Sequence, residues 1–179
     1  MSTLTTTKPK TETKLNEAIS GVIAAVQEDP KNAAATFSVN SKLEEGFHSR
    51  IKARDFDFVS DEPEALGGKD AGPNPVEYVL GALAACQEIV IKAHAGQLGI
   101  DLKSVKVDVS GDLDLHGFFA LSDARPGFTN VRYQTFIETE EEDPVKLQKL
   151  KDLSLENCPV LDIIKNPVPV SGEVSYINN

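Results

Sequence analysis

NPVEYVLGALAAC, residues Asn74 to Cys86, carries the reading from which the fold follows. Asn is a residue that caps a helix N-terminus, Pro fits the first turn because its missing N–H is not needed there, and Glu77 stands where a capping-box carboxylate reaches back to the cap. Beyond the cap, Val79, Leu83, Cys86 and Val90 recur at spacings of four, three and four, and Leu80, Ala84 and Ile91 widen that stripe. Little is polar until Lys92, so the segment reads as a buried central helix. Cys86 then lies about three turns in, within the domain or at a subunit interface rather than at an exposed tip. Gln87 and Glu88 adjoin it in sequence but point elsewhere, and read as solvent or interface residues. Glu77 precedes Cys86 by nine positions, about 900° of helix rotation, which sets the two on opposite faces.

Upstream of this helix, DEPEALGGKDAGPN, Asp61 to Asn74, is dense in Gly and Pro and reads as a long shaped loop. Before it, Ala35 to Lys42 and Gly46 to Ser60 carry Phe, Val, Ile and Thr in near-alternation, which predicts antiparallel strands joined around Glu44-Glu45-Gly46. Phe47, Ile51 and Ala53 share one face while Phe56 and Phe58 share the other, so a bulge or break is expected near Asp55. Downstream, Ser104 to Leu115 and Thr129 to Glu138 predict a hairpin with a long connection. Asp143-Pro144 opens a further helix, Cys158-Pro159 a short one to about Lys165, and Val168 to Ile177 reads as a last strand. At the other end, Leu15, Ala18, Ile19, Val22, Ile23 and Val26 give an amphipathic helix up to Glu28, stopped by Pro30. The division expected is a flexible tail at 1–14, a helical extension at 15–30 and one domain at 31–179.

The 179 residues, 40% of them hydrophobic and 26% charged, make an ordinary globular balance that supports one core. No stretch reaches the roughly 20 apolar residues of a membrane span. Met1 to Lys14 lacks an apolar h-region, which is the expectation for a chain that stays in the cytoplasm. A net charge of −10 with no block of Lys and Arg repels a phosphate backbone, so nucleic acid is not an expected partner. His48, His94 and His116 are scattered, and Gly67-Gly68 is no dinucleotide fingerprint; neither metal nor cofactor is expected.

That leaves the two cysteines. In a reducing compartment they are not a permanent staple, and the choice is between redox chemistry and two inert core thiols. Burial leaves a thiol unreactive unless a positive charge or N–H donors face the sulfur. Cys158 sits between Asn157 and Pro159 at a helix start, where unpaired N–H groups and the helix dipole favour a negative group. The residues alone leave both alternatives open.

Taken in order, DEPEALGGKDAGPNP (61–75), NPVEYVLGALAAC (74–86) and ENCPV (156–160) resemble the OsmC/Ohr family, in the broader OsmC-like branch, over roughly Ala35 to Tyr176. The resemblance implies an α+β fold in which two chains intertwine as a homodimer, antiparallel sheet wrapping around central cysteine-bearing helices. It also implies thiol-dependent reduction of an organic hydroperoxide or hydrogen peroxide in oxidative stress defence. Cys86 would be the peroxidatic nucleophile and Cys158 the resolving thiol, with an unidentified dithiol as reductant. The family's peroxidases place a Glu immediately after Asn-Pro, where this chain has Val76 and the carboxylate moves to Glu77. The arginine that holds the thiolate sits in an early strand; Arg54 is the first candidate and Arg50 the second. The alternative implied is a non-catalytic module that binds an apolar ligand or a protein partner at the dimer interface.

Overall fold

A computed structural model describes residues 10–177 of the chain. The elements run α1 (Lys10–Glu28), β1 (Asn40–Glu45), β2 (His48–Ala53), β3 (Phe56–Ser60), α2 (Pro75–Leu98), β4 (Leu102–Leu113), α3 (Leu115–Phe118), β5 (Phe128–Thr139), α4 (Pro144–Glu156) and α5 (Pro159–Lys165). All strand pairing is antiparallel, in a three-stranded sheet ordered β1-β2-β3 and a long β4-β5 hairpin. The chain is thus the α+β architecture expected.

α2 organises the rest. Its start is a complete capping box, the Asn74 side chain accepting from the Glu77 N–H and the Glu77 carboxylate accepting from the Asn74 N–H, each at 2.9 Å. Its end is the left-handed Gly99, whose lack of a Cβ makes that cap inexpensive. One face packs on the β4-β5 hairpin, α4 and α5. The core forms two small clusters along it: Ile91, Ala95, Ile100 and Leu150 towards its C-terminus, and Leu83, Cys158 and Leu161 further back. Only part of the predicted burial is met within the chain. Leu83, Gln87, Ile91 and Ala95 are buried, while Val79, one turn before Leu83 on the predicted stripe, is 42% exposed and Ile89, on the opposite side, 68%.

The other departures have local causes. The break expected near Asp55 is a tight reversal: Ala53 pairs with Phe56, so Arg54 and Asp55 make the turn, with Arg54 at φ 55°. Two strands were expected, 35–42 and 46–60; three are found, the first beginning only at Asn40, so that 35–39 is not strand. The segment 168–177, expected as a last strand, is not strand, with Val170 88% and Tyr176 89% exposed. A strand exists only where its backbone groups meet a neighbouring edge, and among the described residues no strand pairs with it. α1 starts at Lys10, ahead of the expected Leu15, so 10–14 is helix rather than tail; residues 1–9 of the predicted tail lie outside the described residues. α1 approaches α2 where Asn16 meets Gly96, a place at which a Cβ would run into the Asn16 side chain. α3, within the long β4-β5 connection, was not anticipated.

The loop 61–74 is shaped by Asp61, which is 2% exposed and accepts from the backbone N–H of Glu62 (2.8 Å), Lys69 (3.2 Å) and Ala71 (3.4 Å). Burial alone would raise its carboxyl, but these N–H groups outweigh burial and hold it below the ordinary range. The Ser60 hydroxyl donates to the Pro73 carbonyl at 3.0 Å, and the Tyr78 hydroxyl donates to the Val59 carbonyl. These bonds fasten the three-stranded sheet to the start of α2.

Candidate functional site

The two cysteines meet. The sulfur of Cys86, in the middle of α2, and that of Cys158, immediately before α5, lie 3.3 Å apart although 72 positions separate them in the chain. α2 turns Cys86 towards the side that also buries Leu83, and the Asn157-Cys158-Pro159 corner between α4 and α5 brings the second thiol against it. A disulfide sulfur pair is about 2.05 Å apart, so closing the bond asks for an approach of roughly 1.3 Å. Both thiols are free, Cys86 half-buried and Cys158 only 1% exposed.

Backbone donors from one helix start serve both sulfurs. Cys158 is the N-cap of α5, its sulfur accepting from the Leu161 N–H at 3.4 Å. Next to it, the Val160 N–H faces the sulfur of Cys86. Burial pushes the Cys86 thiol up, the Val160 N–H pulls it back, and the hydrogen bond and charge of neighbouring Cys158 push it up again. The net direction is upward. The Cys158 thiol donates to the Cys86 sulfur in the S–H···S contact.

The surrounding wall is apolar: Val90 from α2, Val109, Val131 and Tyr133 from the hairpin, Val160 and Ile164 from α5. The Tyr133 phenol is pushed up by burial and further by neighbouring Cys158, against whose cluster it packs. Register explains this wall, since Gly111 pairs with Val131 and Val109 with Tyr133, which puts alternate residues of β4 and β5 on the face turned to α2.

The other residues picked out in the sequence do not join this pair within the chain. The Glu77 carboxylate is engaged at Asn74, nine positions from Cys86 and therefore about 13 Å along the helix axis. Arg54 is exposed on the β2-β3 turn, its guanidinium 5.0 Å over the Phe56 ring. Arg50 is exposed and bonded to Glu44 at 3.0 Å. None of these groups is among those acting on the Cys86 thiol. Gln87, read as a solvent or interface residue, is instead 1% exposed, its amide donating to the Ser154 carbonyl at 3.3 Å and tying α2 to α4. Among the described residues no group of three His, Cys, Asp or Glu side chains is gathered as a metal would require.

The family description "OsmC-like protein" matches residues 67–173, three-fifths of the chain and the whole of the thiol-bearing unit. The chain belongs to the OsmC-like protein family. Solved structures share the fold of this OsmC-like chain at low identity. An OsmC-like protein from Mycoplasma pneumoniae is 16% identical, with a TM-score of 0.64 over 74% of this chain and 89% of its own. An organic hydroperoxide resistance protein from Legionella pneumophila is 20% identical, with a TM-score of 0.53 over 73% and 90%. One from Elizabethkingia anophelis is 16% identical, with a TM-score of 0.53 over 75% and 91%. No curated protein sequence matches the chain. No helix among the described residues is long and apolar enough to cross a membrane.

Proposed function

We propose that this OsmC-like protein is a cysteine-based peroxidase that reduces organic hydroperoxides, or hydrogen peroxide, in oxidative stress defence. The observation that carries the reading is the 3.3 Å contact between two free thiols from separate helical elements, the outer one accessible and the inner one buried. Such an arrangement divides the work. The Cys86 thiolate attacks the distal peroxide oxygen, the O–O bond breaks, an alcohol leaves and Cys86 becomes a sulfenic acid. The Cys158 sulfur then displaces hydroxide from that sulfenic sulfur, giving a disulfide and water. A dithiol reductant reopens the disulfide by two exchanges and is itself oxidised.

A thiol held upward by burial needs a cation to ionise readily near pH 7. In the reading proposed, the cation is Arg54 and its carboxylate partner Glu77, delivered through a homodimer in which a second copy covers the exposed apolar residues Val79 and Ile89 of α2. The cytoplasm, which keeps thiols reduced, fits a pair that works by cycling.

The test is direct. The reduced chain is mixed with cumene hydroperoxide and its free thiols are titrated; loss of both thiols per equivalent of peroxide supports the reading, and two thiols still reduced after many equivalents end it. One observation favours the non-catalytic alternative, a module that binds an apolar ligand or partner: among the described residues no guanidinium acts on the Cys86 thiol. That alternative requires Cys86 to alkylate more slowly than a free thiol even in the assembled protein.

A further inference from the structure

We propose that the chain carries a second ligand site, beside the thiol pair and separate from it, that takes a small carboxylic acid with a short apolar body. A cavity of about 430 Å³ lies where the long β4-β5 connection, the start of β5 and α5 come together, lined by Arg125, Phe128, Thr129, Asn130, Val131 and Ile164. That volume falls within the range of sites for small organic ligands.

Its lining is divided by chemistry. Phe128, Val131 and Ile164 give an apolar wall, and Val131 and Ile164 also pack against the Leu83–Cys158–Leu161 cluster, so one layer of side chains separates the cavity from the resolving position. Arg125 gives the charge. The chain has four arginines. Arg50 is paired with Glu44, Arg132 is bidentate to Asp112, and Arg54 lies over a ring. Arg125 alone has no carboxylate or ring partner among the described residues, and it lines the cavity. Asp123, two positions away, makes no ion pair with it. Asp112, which accepts a hydrogen bond from Asn130 of the lining, is already neutralised by Arg132.

In a chain of net charge −10 a diffuse attraction for anions is absent, so an acid would be held only by a local, uncompensated guanidinium. A planar fork with free donors suits a carboxylate, and the adjoining apolar wall suits a chain of several carbons. The site does not depend on the peroxidase reading, because it needs neither thiol to react.

The experiment titrates octanoate into the full-length protein, following backbone amide shifts by NMR, beside octanamide as the neutral isostere. Octanoate is expected to saturate with shifts centred on Thr129, Asn130 and Ile164, and octanamide to bind on the order of tenfold more weakly, the loss of one charge-assisted contact. In Arg125→Gln the octanoate affinity should fall to that of octanamide, while octanamide is unaffected. The Cys86→Ser, Cys158→Ser double variant should bind octanoate as the wild type does, which keeps the result apart from the fate of the redox reading. No saturation by octanoate, equal binding of acid and amide, an unchanged Arg125→Gln, or shifts centred elsewhere would each overturn the proposal.

Discussion

Oxidation of the thiol pair should raise thermal stability by an amount set by the chain length it closes. Cys86 and Cys158 are 72 positions apart, and the loop-closure entropy removed from the unfolded chain by a link of that span corresponds to about 4 kcal/mol at 25 °C. The 3.3 Å sulfur separation means the native backbone already holds the partners near bonding distance, so little of that gain should be lost to distortion. For a chain of this size each kcal/mol moves the melting temperature by roughly 2–4 °C, and with the smaller yields usual for disulfides the expected rise is about 5–15 °C. The assay compares melting by circular dichroism of the reduced protein and of protein treated with one equivalent of cumene hydroperoxide, the bond verified by peptide mass. Cys158→Ser should show no rise. A verified Cys86–Cys158 disulfide that leaves the melting temperature unchanged or lower would refute the claim that the pair is preset in the folded chain.

Replacing Cys158 by Ala removes the side-chain cap of α5 and part of a buried cluster, and should cost about 1–3 kcal/mol in urea unfolding of the reduced protein, while hydroperoxide should leave Cys86 as a sulfenic acid detectable by dimedone. The Cys86 thiol is held upward, so its contribution to stability is complete below the ordinary thiol value of about 8.5 and is lost as pH rises through its higher folded value; urea midpoints of the reduced protein should therefore fall above pH 8.5, and Cys86→Ser should flatten that fall. Asp61 is held downward, the opposite case: its contribution is present above about pH 4 and is lost as pH falls through its lower folded value. Asp61→Asn should lower the urea midpoint at pH 7 and reduce the loss between pH 4 and 2, measured side by side with the wild type.

The parts of the fold that could be read from residues are those fixed locally. Asn74, Pro75 and Glu77 specify a helix start without help from the rest of the chain, and the capping box is found as read. Val105, Val107 and Val109 alternate because one face of β4 turns to α2, and that strand too is where the pattern puts it. What could not be read depends on partners distant in sequence. Residues 168–177 have strand composition, yet strand is a property of a pair of edges, and among the described residues none pairs with this segment. Gln87 looks like a surface residue until Ser154, 67 positions away, presents its carbonyl. The break at Asp55 was visible as a change of face, but whether it would be a bulge or a reversal depended on Arg54 taking a left-handed conformation that nothing in its neighbours announces.

The site divides in the same way. That Cys86 lies on an apolar helix and Cys158 at a helix start was legible. Their contact was implied by the family resemblance alone and not by the residues, because it is made by the α4-α5 corner folding back onto α2. Nor were the Val160 N–H at Cys86 and Tyr133 beside the pair, both of which enter through tertiary packing. Glu77 was legible as the carboxylate of the capping box, and that is where the structure places it.

The measurement that bears most directly on the central claim is the stoichiometry of thiol loss. Reduced protein taken through increasing cumene hydroperoxide should lose two thiols per equivalent, with the Cys86 and Cys158 peptides recovered as one disulfide-linked species and cumyl alcohol formed in equal amount. Two thiols still reduced in excess peroxide, or oxidation of Cys86 and Cys158 to separate products with no bond between them, would contradict it.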